Sequence, residues 1–217
     1  MIKTFTLSIF LYLFLALSVS AQQKSRFGLK AGVNVAWQAR ANNYREFIPL
    51  VSTHLTGFTE VQLTERFFLQ PGISLQGKGM SVDSKGAMDG SHGKVHMLYM
   101  EIPVNLLYKL KLTNLGTFVL GGGPYAGLGL KGNLFENSEN PFRSYEGSNG
   151  YGNTDYGVNL SLGTQLNSRL TLTLQQSIGL DNIAPDAYTV PGPADEPIVF
   201  KEEIKNRVAS VSIGFRF

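Results

Sequence analysis

The sequence predicts an all-β protein, an eight-stranded antiparallel up-and-down transmembrane β-barrel, and three observations carry that expectation. Eight stretches alternate apolar residues with small or polar ones at period two. The connections between these stretches are alternately long and short. The chain closes on RVASVSIGFRF, where Ala209, Val211, Ile213, Phe215 and Phe217 share one face and Val208, Ser210, Ser212, Gly214 and Arg216 the other. Chain ends are ordinarily frayed and polar, so an alternating end predicts a terminus built into a sheet.

The first residues read MIKTFTLSIFLYLFLALSVSAQQ, with Lys3, an uncharged apolar core of thirteen residues from Phe5 to Leu17, and Val19-Ser20-Ala21 before Gln22. A charged start, a short apolar core and small residues before a cleavage point make a secretory signal peptide. A spanning helix needs about 20 apolar residues, more than this core has. Residues 1–21 are therefore expected to be removed, leaving 22–217 as one barrel domain. No other apolar run is long enough to cross a bilayer as a helix, so membrane insertion has to use strands.

The formal charge of +3 falls to +2 without Lys3 and is scattered, which argues against a nucleic-acid partner. The chain has no Cys, which excludes a lipoprotein anchor, a disulfide, a thiol nucleophile and a Cys-ligated zinc.

Taken in order, segment one (27–37) sets Phe27, Leu29, Ala31, Val33, Val35 and Trp37 against Gly28, Lys30, Gly32, Asn34 and Ala36. Segment two (53–63) opposes Leu55, Val61 and Leu63 to His54, Thr56, Glu60 and Gln62. Segment three (66–77) opposes Phe67, Leu69, Ile73 and Leu75 to Phe68, Gln70, Gly72, Ser74 and Gln76. Segment four (94–108) has Leu98, Met100, Ile102, Val104, Leu106 and Tyr108 facing Tyr99, Glu101, Pro103 and Asn105. In segment five (116–131) the glycines collect with Tyr125 and Lys131, opposite Phe118, Leu120, Pro124, Ala126, Leu128 and Leu130. Segment six (154–166) sets Tyr156, Val158, Leu160, Leu162 and Leu166 against Asp155, Gly157, Asn159, Ser161, Gly163 and Gln165. Segment seven (169–181) sets Leu170, Leu172, Leu174, Ile178 and Leu180 against Arg169, Thr171, Thr173, Gln175, Ser177, Gly179 and Asp181. The closing strand is the eighth.

Period two alone does not say which face is inside. The non-apolar face is rich in Gly, Ser, Thr and Asn with isolated charges, which suits a narrow lumen better than a soluble exterior. Phe27, Phe67, Tyr108, Phe118, Phe215 and Phe217 fall at one end of the apolar face, as an aromatic girdle at a membrane interface does. Short connections fall near Thr64-Glu65, Lys109 to Leu115 and Asn167-Ser168; long ones span roughly 38–52, 78–93, 132–153 and 182–205. Outer-membrane barrels keep short turns in the periplasm and long loops outside, so both termini and the girdle belong to the periplasmic side.

GLKAGVNVAW, YMEIPVNLLYKL, LGGGPYAGLGL, TDYGVNLSLG and the closing SIGFRF, in this order and spacing, resemble the PorT-like outer-membrane β-barrel family of Bacteroidota over nearly the whole mature chain. The resemblance implies Sec-dependent export and an eight-stranded barrel in outer-membrane lipid. It also implies that Val211, Ile213, Phe215 and Phe217 form the signal read by the barrel-assembly machinery. One namesake is associated with secretion across the outer membrane, a role not carried over to this chain. The family brings no catalytic motif and no cofactor.

An eight-stranded barrel is just wide enough for side chains to fill. By parity Lys30, Glu60, Glu101, Arg169 and Arg216 face inward, all but Glu101 near the periplasmic end, and buried charges must pair. The expectation is a charge network that links strands and plugs the barrel, with a proton or ion path through Glu101 and Glu60 as the alternative. His92 and His96 lie about 13 Å apart on a strand and are expected to be solvated rather than metal ligands. His92, Asp83, Asp89, Ser81 and Ser84 leave open a second reading, an outer-membrane enzyme with a rim site, although no nucleophile motif supports it. A soluble lipocalin-like small-ligand binder is the third.

Phe135, Phe142, Tyr145 and Tyr151 in the third long loop suit either recognition of an unknown protein or glycan, or packing on the barrel's own rim. Pro185, Pro191, Pro193 and Pro197 in the fourth either stiffen a binding edge or prevent strand pairing.

Overall fold

The computed structural model describes residues 25–40, 47–82, 93–112, 116–134, 140–142, 150–184, 188–191, 197–200 and 203–217. The expected leader, 1–21, lies outside them, as do Asp83, Ser84, Asp89, His92, Phe135 and Tyr145. The strands are β1 (Ser25–Arg40), β2 (Phe47–Ile48), β3 (Leu50–Gln62), β4 (Phe67–Val82), β5 (Gly93–Leu112), β6 (Gly116–Leu134), β7 (Thr154–Gln165), β8 (Leu170–Gly179), β9 (Tyr188–Pro191), β10 (Pro197–Phe200) and β11 (Ile204–Arg216).

Eight of these form a closed antiparallel ring in the order β1-β3-β4-β5-β6-β7-β8-β11, and β11 returns to pair with β1. Each strand's neighbours in the ring are its neighbours in sequence, the signature of an up-and-down barrel. Closure removes the free edges that a strand as long as β5 would otherwise expose.

Burial alternates along the strands in the inverse sense to a soluble barrel. On β11, Asn206, Ser210, Ser212 and Arg216 are buried while Ile213 is 62% exposed, and β3 buries Ser52, His54, Thr56 and Glu60 while Val51 and Leu55 face out. The apolar face is therefore the outer one, which removes the lipocalin-like reading. Among the expected girdle residues, Phe67 packs on Tyr108 with ring centroids 5.2 Å apart, and Phe215 on Phe217 at 5.4 Å. The Phe217 amide donates to the Phe27 carbonyl at 2.9 Å, so residue 217 is tied to strand β1.

Two of the short connections are closed by local hydrogen bonds. Thr64 Oγ accepts from the amides of Arg66 and Phe67, and Asn167 Oδ1 accepts from those of Arg169 and Leu170 at 2.8 Å each. Both are side-chain turns in which the polar residue substitutes for a backbone acceptor.

Several boundaries differ from expectation. Strand β4 continues to Val82 and β3 begins at Leu50, so Lys78 and Met80 belong to the wall rather than to a loop. Gly79, at a φ of +138°, allows this, since a Cβ there would run into the Val95 backbone. Pro185 and Pro193 of the fourth long loop lie outside the described residues, while Pro191 and Pro197 do not prevent pairing: they are register partners at the end of the two-stranded β9–β10 ladder joined by residues 192–196. Strand β6 carries a bulge, with Leu98 opposite Lys131 but Tyr99 opposite Gly129. The extra residue reverses the parity beyond it, so Lys131 is exposed on the outer face with Leu98 rather than inside with the glycines.

Candidate functional site

The lumen is filled in four levels. At the end with the short turns, Glu60 on β3 receives Lys109 Nζ from β5 at 2.5 Å and Arg216 Nη1 from β11 at 2.8 Å. Arg216 Nη2 also donates to the Ser168 carbonyl at 2.9 Å, which fastens the β7–β8 turn to the last strand. Lys109 Nζ lies 4.2 Å from the centre of the Phe68 ring, a cation–π contact on its remaining side. Two cations share one carboxylate, so this level carries an excess of one positive charge.

Above it, small polar side chains bond one another across adjacent strands. His54 Nδ1 and Asn34 Oδ1 are 2.7 Å apart, Thr56 and Ser74 hydroxyls 2.7 Å, and Ser177 Oγ donates to Asn159 Oδ1 at 2.7 Å. Lys30 points inward here, its Nζ 5.9 Å from the centre of the Phe58 ring. Gaps at this level include cavities of about 30 and 20 Å³, room for about one water each.

The second charged level lies toward the long loops. Lys78 Nζ on β4 is 2.5 Å from Glu101 on β5 and 2.6 Å from Asp155 on β7, and the side chains are 1%, 5% and 0% exposed. Asn206 Nδ2 donates to Asp155 at 2.9 Å, and the Tyr99 and Tyr125 rings flank the ammonium at 5.2 and 4.5 Å. One cation meets two carboxylates, an excess of one negative charge. Glu101 and Lys109 lie on the same face of β5, eight residues apart, so the two levels are separated by about 26 Å along that strand.

The top level is apolar, which parity did not anticipate. Met80, Val95, Met97, Tyr99 and Ile204 turn inward and pack with Ile183 as a closed cluster beneath the loops. Phe142 and Tyr151 rest against it, the Phe142 ring edge-on to Tyr99 at 5.5 Å. These two aromatics of the third loop therefore pack on the barrel's own rim. The Ile183 amide bonds the Ile204 carbonyl at 2.9 Å and Asn182 Oδ1 accepts from the Ile204 amide at 2.8 Å, so the lid is stitched to the end of β11.

The five charges expected in one network are distributed differently. Glu60 and Arg216 meet directly, Glu101 belongs to the upper level, and Lys30 stands between the two without an ion pair among the described residues. Arg169 is exposed in the β7–β8 turn one residue before β8 begins, and its link to the cluster is through the backbone, its carbonyl accepting from the Arg216 amide. Lys78, Lys109 and Asp155 complete the clusters and were missed as partners. Strand parity carried one step further along β4 and two along β5 identifies both lysines. His96 is exposed on the outer face, and no group of three or more potential metal ligands occurs among the described residues.

The fold is similar to that of the outer membrane protein OprG from Pseudomonas aeruginosa, with a TM-score of 0.52 at 12% identity, covering 91% of this chain and 98% of that one. Neisserial surface protein A aligns over 90% of this chain and 100% of its own at 8% identity and a TM-score of 0.48. OmpW of E. coli aligns over 90% and 100% at 12% identity and a TM-score of 0.45. No curated protein matches the sequence. At 12% identity the OprG likeness speaks for the fold alone, and the two matches with TM-scores below 0.5 carry no argument. Residues 20–184 match the family described as outer membrane protein beta-barrel domain, and this chain, a closed ring of eight strands with its apolar face outward, belongs to that outer-membrane family.

Proposed function

We propose that the protein is a closed, non-conducting outer-membrane barrel whose work is structural or interactive, exerted through its long outer loops or through periplasmic partners. It is not an enzyme and takes no cofactor. Residues 1–21 serve as its export signal, and Val211, Ile213, Phe215 and Phe217 present the strand that the barrel-assembly machinery reads. The short-turn end faces the periplasm and the long loops face outward, toward an unidentified protein or glycan. The PorT-like assignment within Bacteroidota rests on the sequence strings and remains part of this proposal.

The observation that carries the reading is the filled lumen. An entering cation meets the excess positive charge around Glu60, and an anion that passed it would meet the excess negative charge around Lys78. The apolar cluster around Met97 and Tyr99 closes the other end. Each barrier alone disfavours a hydrated ion; together they describe a plug.

Planar-bilayer recording of the refolded protein is the test. No unitary conductance is expected, and Glu101→Gln is expected to lower resistance to denaturant without creating one. Stable single-channel steps from the wild-type protein would overturn the reading.

A further inference from the structure

We propose that the basin at the short-turn end is a binding site for an acidic peptide segment of a periplasmic protein. The basin encloses about 680 Å³, the size of a ligand pocket rather than a surface dimple. Its floor is the Glu60–Lys109–Arg216 cluster, and the same three side chains roof the small cavity beneath, so the cluster separates the basin from the lumen. Its wall adds Arg26, Arg66 and Lys111, which come from β1, the β3–β4 turn and β5 and are all exposed. None of these three has a carboxylate partner among the described residues; Arg66 reaches only the Tyr108 hydroxyl at 3.5 Å.

The basin thus holds five cations against Glu60 and Glu65. Glu60 is already occupied by Lys109 and Arg216, and Arg216 Nε is buried without an acceptor. The chemistry that fits is anionic, and the layout favours carboxylates spaced along a chain over a single phosphate. The exposed cations are carried by three different elements of the rim, Gln62 and Gln165 supply amides for a peptide backbone, and Phe68 and Leu110 supply apolar surface. A concave site of one sign also steers such a segment to itself.

This inference rests on the periplasmic orientation proposed above, and two measurements keep the two apart. The mature chain, refolded in detergent micelles, is titrated at low salt with labelled hexaglutamate, with hexaglutamine, inorganic phosphate and cell-wall muropeptides as competitors. Hexaglutamate is expected to bind and hexaglutamine to fail. The triple variant R26Q/R66Q/K111Q, whose changes are all exposed, is expected to bind about 30-fold more weakly, about threefold for each exposed charge lost. A K94Q/K131Q control at the opposite end should bind as the wild type does. Equal binding of hexaglutamine, an unchanged triple variant, or tighter competition by phosphate or muropeptide overturns the acidic-protein assignment. In the second measurement, Lys111→Cys in whole cells should react with an impermeant maleimide only after the outer membrane is opened. Labelling of intact cells overturns the orientation, and with it the periplasmic partner, whatever the titration gives.

Discussion

Lys78 on β4 and Asp155 on β7 stand 2.6 Å apart across the lumen, on strands separated in the ring by β5 and β6. Backbone hydrogen bonds join only neighbouring strands, so this pair, reinforced by Glu101 from β5, is a strut between walls that the ladder does not connect directly.

Lys78→Met should therefore be costly, since it leaves two carboxylates buried without a cation. A loss of about 3–5 kcal/mol is expected in urea unfolding from lipid vesicles. The triple variant K78M/E101Q/D155N removes the stranded charges and should recover most of that loss. If the single variant unfolds within about 0.5 kcal/mol of wild type, as a surface change would, the strut is not structural.

At the other level, Glu60→Gln sets Lys109 and Arg216 against each other. The expected cost is about 2–3 kcal/mol, smaller than at Lys78 because the Gln carbonyl still accepts from one of the two cations and the cluster borders the basin. The two levels share no partner, so the Glu60→Gln/Lys78→Met double variant should lose the sum of the single losses within about 0.5 kcal/mol. A larger coupling energy would mean that the levels act as one network.

The lid gives a local prediction. Phe142→Ala removes the ring packed on Tyr99 and should leave the global unfolding midpoint nearly unchanged while trypsin cuts faster in the adjoining loop, at Arg143. Gly129→Val should have the same effect, because its Cβ would come within 2.6 Å of the Phe142 ring. Unaltered cleavage in both variants would show that Phe142 does not hold the loop down.

Deleting Phe217 removes its backbone bond to Phe27 and the ring packed on Phe215. The fraction of heat-modifiable barrel in isolated outer membranes should fall several-fold, whereas refolding of the purified chain in detergent should change little. Equal losses in both would assign Phe217 to stability instead of assembly.

The eight strands were legible because a half-buried strand repeats every two residues and no other structure does so over this many segments. The site was legible only in part. Glu60, Glu101 and Arg216 were placed on the inner face by parity, yet Lys78 was lost because the pattern was ended one residue early, at a Lys-Gly pair that reads as a loop. Arg169 failed for the opposite reason, since the turn bonded by Asn167 takes the residue that parity had given to the strand. Lys131 changed faces because the bulge adds a residue on β6 with no counterpart on β5, which no count along one strand can detect.

By itself, then, the sequence determined the class of this protein: alternation, glycine on the polar face and the spacing of its turns are local properties, and local properties suffice to specify strands, their order and the apolar face. The tertiary structure decided which charges meet. Whether Glu60 pairs with Arg216, 156 positions away, or Lys78 with Asp155, 77 away, depends on how the ring closes and how adjacent strands are staggered. The apolar lid has the same origin. Met80, Val95, Met97, Ile183 and Ile204 come from four parts of the chain, and only closure of the barrel gives them a common interior in which burial is favourable.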